Sequence, residues 1–146
     1  KEVVYDKAVD TAASAKHVAE ATKARVRYGS DSLQYKEAKA HVDYDKTIDD
    51  LAKARKKYGV NSVQYKQAAA AESKAREQWQ DAREQNLYKN NKEYRTYSDR
   101  ASYLGSRIDA IDASGGPKTP EGKASYQQML NELRGLESKL DSMKRG

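Results

Sequence analysis

The stretch VRYGSDSLQYKEA at residues 26–38 returns thirty positions later as KKYGVNSVQYKQA at residues 56–68, with the glycine, a serine, a glutamine and both tyrosines kept in register. Gly29 follows a run that ends in Lys23, Arg25 and Arg27, and Gly59 follows Lys53, Arg55, Lys56 and Lys57. Glycine takes up backbone conformations that close a helix, and cations in a last turn oppose the negative end of the helix dipole. Each phrase therefore ends one helix. Asp31 with Gln34, and Asn61 with Gln64, then stand three apart, the spacing of an N-cap and a reciprocal amide at the start of the next helix. The repetition encodes a repeated helix–turn–helix.

Working outward from these turns, five helical segments are expected near residues 2–27, 32–57, 62–87, 91–112 and 120–144. Residues 1–90 read as a repeated helix–turn–helix segment and 91–146 as an antiparallel hairpin, with one continuous domain as the alternative. Between the third and fourth segments Asn90-Asn91 can cap but no glycine precedes them, so a single run-on helix stays open there. The last break is sharp: Ser114-Gly115-Gly116-Pro117 stops a helix, and Thr119-Pro120-Glu121 starts one.

Apolar residues step by three and four along each segment. The seams run through Tyr5, Ala8, Ala12, Ala15, Ala19, Thr22 and Val26 in the first segment, then Leu33, Ala40, Tyr44, Leu51, Ala54 and Tyr58 in the second. The third has Tyr65, Ala68, Ala75, Trp79 and Ala82. Glu37 and Glu72 interrupt the latter two. Tyr97, Ala101, Leu104, Ile108 and Ile111 face Tyr126, Met129, Leu133, Leu136, Leu140 and Met143 across the last turn. Folding that hairpin about Gly116 sets Tyr97 opposite Gly135, which predicts a ring laid over bare backbone. The fold class is all-α: antiparallel helical hairpins or a coiled-coil bundle of about five helices, elongated because ~25-residue helices are long.

Composition explains why these seams are thin. Leu, Ile and Val total 19 of 146 residues, phenylalanine is absent, and mean hydropathy is −1.09. Ala, Glu, Lys, Leu and Arg make up close to half the chain, which with the periodicity favours exposed helices over disorder. Burial of alanine contributes far less than burial of leucine, worth about 1.5–3 kcal/mol. Modest stability alone, and self-association or support from flanking chain, are expected; the opening on Lys1 fits a fragment or processed product. No run reaches the roughly 20 apolar residues of a membrane helix. There is no cysteine, and the net charge of +6 comes from 28 basic residues mixed with 22 acidic ones, as on a solvated helical surface.

A search for chemistry yields little. His17 with Glu20, and His41 with Asp45, share helix faces, but two ligands fall short of the three or four of a zinc site. Neither a metal nor a cofactor is expected. Asp43, Asp45, Asp49 and Asp50 lack a desolvating cleft, and no serine lies in a Gly-x-Ser-x-Gly setting. The chain reads as non-enzymatic. Basic residues beside Tyr28 and Tyr58 mix charge with rings as nucleic-acid surfaces do, yet both clusters fall where dipole compensation already calls for cations. The 11 tyrosines and the single Trp79 suit half-buried seams or a protein-facing surface. Tyr28, Tyr35, Tyr58, Tyr65 and Trp79 are the candidate partner-binding residues.

Arg27-Tyr28-Gly29 with Ser32 and Tyr35-Lys36, matched by Lys57-Tyr58-Gly59 with Ser62 and Tyr65-Lys66, resembles the repetitive helical stretches of phage and prophage tail tape-measure proteins over roughly residues 20–87. The resemblance implies a rod within a tail tube that sets its length, in a virion. It carries over no functional residue. Without it the chain reads as a soluble bacterial protein, cytoplasmic or secreted. The leading expectation is thus a structural helical module of a phage tail or other bacterial assembly, with protein partners or self-association. The alternative is a helical adaptor or effector-like module that binds through exposed tyrosine and tryptophan. Binding to nucleic acid or an anionic surface is less favoured.

Overall fold

Gly29 and Gly59 do reverse the chain. A computed structural model describes residues 2–145, with side chains from residue 14 onward. It contains five helices: α1 Glu2–Tyr28, α2 Leu33–Tyr58, α3 Val63–Asn90, α4 Lys92–Ala113 and α5 Pro120–Arg145. No strand occurs among the described residues. The backbone hydrogen bonds of the two turns agree in length to about 0.1 Å. Gly29 N–H donates to Arg25 C=O at 2.9 Å and Gly59 N–H to Arg55 C=O at 3.0 Å, both glycines lying at positive φ, 94° and 85°.

The caps differ from the expected pair. Ser32 and Ser62, not Asp31 with Gln34 or Asn61 with Gln64, begin α2 and α3. Each serine hydroxyl accepts from the N–H three residues on, Tyr35 at 3.1 Å and Tyr65 at 3.0 Å, and donates to the glycine C=O at 2.7 Å. A carboxylate can only accept. The hydroxyl serves both helix start and turn, and the cap falls one residue after Asp31 and Asn61.

Asn91 separates α3 from α4 without a glycine. Its backbone is extended, with φ −121° and ψ 108°, and its side-chain oxygen accepts from Tyr94 N–H at 3.0 Å. The next turn is a Schellman closure, Gly116 N–H donating to Ile111 C=O at 2.9 Å and Gly115 N–H to Asp112 C=O at 3.1 Å. Thr119 then caps α5 through Gly122 N–H at 2.9 Å, with Pro120 in the first turn as expected.

The chain divides into two compact units, residues 1–86 and 87–146. In the first, α1 and α2 run antiparallel with Cα atoms repeatedly within 8 Å, whereas no such approach joins α2 to α3. The described inner face of α1 is Ser14, His17, Ala21 and Ala24. The expected stripe is therefore turned outward: Ala15, Ala19 and Thr22 are exposed and Val26 is 79% exposed, while Tyr5, Ala8 and Ala12 lie outside the described side chains. Alanine lines more than one face of this helix, so the hydrophobic count could not choose between stripes. Along α2 and α3 the expected seam positions face inward apart from Tyr58, which is 47% exposed.

In the second unit Tyr94, Leu104, Ile108 and Leu136 are buried, Leu104 to 1% exposure. Arg100 clasps Glu132 through two hydrogen bonds, Nε to Oε2 at 2.6 Å and Nη2 to Oε1 at 3.0 Å, and Tyr126 donates to Asp112 at 2.8 Å. Tyr97 does not cover Gly135. A methyl added at Gly135 would meet nothing within 4 Å, and the Tyr97 hydroxyl bonds Glu93 while Lys139 Nζ stands 5.0 Å from its ring centre. Tyr94, three residues before Tyr97 and bonded through its N–H to the Asn91 cap, is the buried ring near this end of α4 instead.

Candidate functional site

Folding α1 back along α2 places His17 against the His41 and Asp45 pair, which share one face of α2 by their spacing of four. Nδ1 of His17 is hydrogen-bonded to Oδ2 of Asp45. The His17 and His41 rings stack with centroids 3.6 Å apart at 29°. On its other face His41 lies nearly parallel to Trp79 of α3, at 4.1 Å and 9°, and Trp79 stacks in turn on Tyr44 at 5.5 Å. Aromatic pairs of this kind contribute about 0.5–1.5 kcal/mol beyond area burial. One ring of α2 thus joins three helices.

Charges ring the stack. Glu37, the interruption in the α2 seam, accepts from Arg83 Nη1 at 3.3 Å and Asn86 Nδ2 at 3.1 Å. Glu72, the interruption in α3, takes the Tyr44 hydroxyl and an ion pair from Arg76 at 3.6 Å. Burial and the Glu72 charge push the Tyr44 hydroxyl above its usual range. Burial, then the neighbouring His17, hold His41 below the usual histidine range against the opposing pull of Asp45, Glu20 and Glu37. The indole Nε1 of Trp79 is buried with no hydrogen-bond partner among the described residues.

The five tyrosine and tryptophan candidates do not form one surface. Tyr28 and Tyr58 are about half exposed, 48% and 47%, each beneath a cation, Arg27 at 5.4 Å and Lys57 at 5.3 Å from the ring centre. Tyr35 and Tyr65 are half-buried beside the serine caps, and Trp79 is half-buried within the ring stack. The sequence reading sets Tyr44 in the α2 seam and pairs His17 with Glu20, but it contains neither the link between His17 and Asp45 nor the stacking of Tyr44 on Trp79. The signal was available in the turns: reversal at Gly29 brings position 17 opposite 44, and reversal at Gly59 brings 41 opposite 79.

Comparison of the chain with protein-family models, with curated proteins and with solved structures returns no match. The class defined by the fold is an all-α protein of antiparallel helical hairpins. No helix among the described residues is long and apolar enough to cross a membrane.

Proposed function

We propose that this chain is a non-enzymatic structural module, whose helices supply length and patterned faces to a larger assembly and whose half-closed seams are completed by another protein surface. The observation behind this reading is the thinness of burial in the first unit. Three helices of 27, 26 and 28 residues meet there, yet Ala75 is the one buried residue among those described. Val26 and Val63 stay 79% and 66% exposed. Covering such side chains is worth about 1.5–3 kcal/mol each, which association supplies.

The doubled turn supports repeated contacts over a single receptor patch. Its two copies stand at opposite ends of α2, whose 26 residues span about 39 Å at ~1.5 Å per residue. Tyr28 and Tyr58 thus belong to separate small patches. The depression lined by Arg107, Ala110, Ile111 and Ser114 offers no activated nucleophile, since the Ser114 hydroxyl donates to Ile111 C=O at 2.8 Å. A phage tail, to which residues 20–87 bear their resemblance, is the specific assembly proposed. Light scattering with small-angle X-ray scattering tests the reading: mass should rise with concentration. A mass fixed at 16.4 kDa throughout refutes self-assembly. The second reading, a monomeric module that binds a partner protein through Tyr28 and Tyr58, draws on their exposure and predicts that Tyr28→Ala with Tyr58→Ala abolishes that complex.

A further inference from the structure

We propose that His17, His41 and Asp45 form a binding site for one divalent transition-metal ion of borderline softness, Zn²⁺ being the redox-inert member of that class. A ligand atom from each of the three residues lies within 4.8 Å of the other two. Donors around a four-coordinate ion with bonds of ~2.1 Å sit about 3.4 Å apart, so a contraction of little more than 1 Å closes the site. Two imidazoles and a carboxylate are the donor set that borderline ions prefer, with the remaining coordination left to water.

Position and charge support this beyond donor identity. His41 and Asp45 lie four apart on α2, and His17 faces them from α1, so the ligands come from two rigid helices. The His41 ring lies half-buried between His17 and Trp79. The carboxylates of Asp45, Glu20 and Glu37 all act on that ring, and from α3 Arg83 engages Glu37 while Trp79 packs the far side. The field favours a dication. The two imidazole rings stack with centroids 3.6 Å apart, and ligation turns them to converge by rotation about Cβ–Cγ, a broad torsion. The ion takes the place of the hydrogen bond between His17 Nδ1 and Asp45. Its effect is to clip α1 to α2 across a seam of small residues.

The chain's single tryptophan makes the test direct. Because Trp79 lies 4.1 Å from His41, Cu²⁺ should quench its fluorescence at one equivalent, and Zn²⁺ should compete with that quenching. By calorimetry Zn²⁺ should bind one to one with a Kd below about 10 μM. His17→Gln and His41→Gln should abolish binding, and Asp45→Asn should weaken it by about tenfold or more, whereas Glu20→Gln should leave the stoichiometry intact. Helix content by circular dichroism verifies each variant. Should any variant unfold, side-chain ¹⁵N spectra of the wild-type chain decide: both histidines must shift with Zn²⁺. No saturation up to about 1 mM, unshifted histidines, or wild-type affinity in a folded His17→Gln protein overturns the proposal.

Discussion

Four glycines allow one chemical change, the addition of a single methyl group, to be made with opposite results. At Gly29, Gly59, Gly105 and Gly135 an added Cβ meets nothing within 4 Å, so crowding is the same at all four. Backbone conformation is not. Gly59 sits at φ 85° and ψ 162°, a region that is essentially glycine's alone, and Gly29 at φ 94°. Strain of that kind amounts to about 1–3 kcal/mol. Gly105 and Gly135 lie inside α4 and α5 with ordinary helical φ. There alanine gains about 0.5–1 kcal/mol over glycine, chiefly by restricting the unfolded chain.

Gly59→Ala and Gly29→Ala should therefore each destabilise the first unit by ~1–3 kcal/mol, and Gly105→Ala and Gly135→Ala should each stabilise the second by ~0.5–1 kcal/mol. Gly59→Asn should rescue nothing, because asparagine tolerates the left-handed helical well but not a ψ near 162°. Urea titration measures this, with Trp79 fluorescence following the first unit and far-ultraviolet circular dichroism following both. With a slope near 2 kcal/mol per molar, a 2 kcal/mol loss moves the midpoint by about 1 M. An unchanged or higher midpoint for Gly59→Ala, or a lower one for Gly135→Ala, refutes the reasoning and with it the account of how the chain turns.

Ser32→Ala and Ser62→Ala should each cost about 1 kcal/mol of stability, and Ser→Asp at either position should fail to restore it, since a carboxylate cannot donate to the glycine carbonyl 2.7 Å away; the same urea midpoints report both. Leu104→Ala, at the most buried side chain of the second unit, should cost about 2–5 kcal/mol in thermal unfolding. Arg100 holds the Glu132 carboxyl below its ordinary value of 4.5, chiefly through their hydrogen bond. A depressed carboxylate contributes stability that is complete above the unfolded value and lost as pH falls through the folded one. The melting temperature of wild type relative to Glu132→Gln should therefore be raised at pH 7, and that advantage should fade once the pH drops below the ordinary carboxylate range and through the lower folded value. Added salt should shrink it as well, because both groups are exposed.

How much of this could be read from sequence depended on whether a residue's role was local. The glycine stops, the Asn91 break, the Thr119-Pro120 start and the α4–α5 stripe rest on spacing within a few residues, and the five segments follow from them. Two local readings missed by one residue: Asp31 and Asn61 are good caps in general, but Ser32 and Ser62 are the residues whose single hydroxyl oxygen both accepts from the new helix and donates to the glycine carbonyl. The stripe on α1 failed for want of contrast, since alanine on several faces gives hydrophobicity nothing to select. Gly135 failed because register alone set Tyr97 opposite it, while the neighbouring Glu93 and Lys139 engage that ring instead. The histidine cluster required two turns to be folded at once, joining positions 17, 41 and 79, and a reading confined to one helix at a time saw only pairs.

The doubled phrase also separates two instructions that a helical hairpin needs. Glycine and serine set where the chain reverses, and they do so with near-identical hydrogen bonds at both copies. They do not set how far apart the paired helices stand. Ala21 and Ala24 let α1 and α2 approach within 8 Å, while Trp79, Arg83 and Glu37 hold α2 and α3 apart on rings and charges. Two interfaces made from the same turn are thus chemically unlike, one closed by small residues and one open to ring stacking and polar exchange. Such an arrangement fits a module in which the repeat supplies fixed reversals and length, and the residues between the turns are free to specify what each face meets.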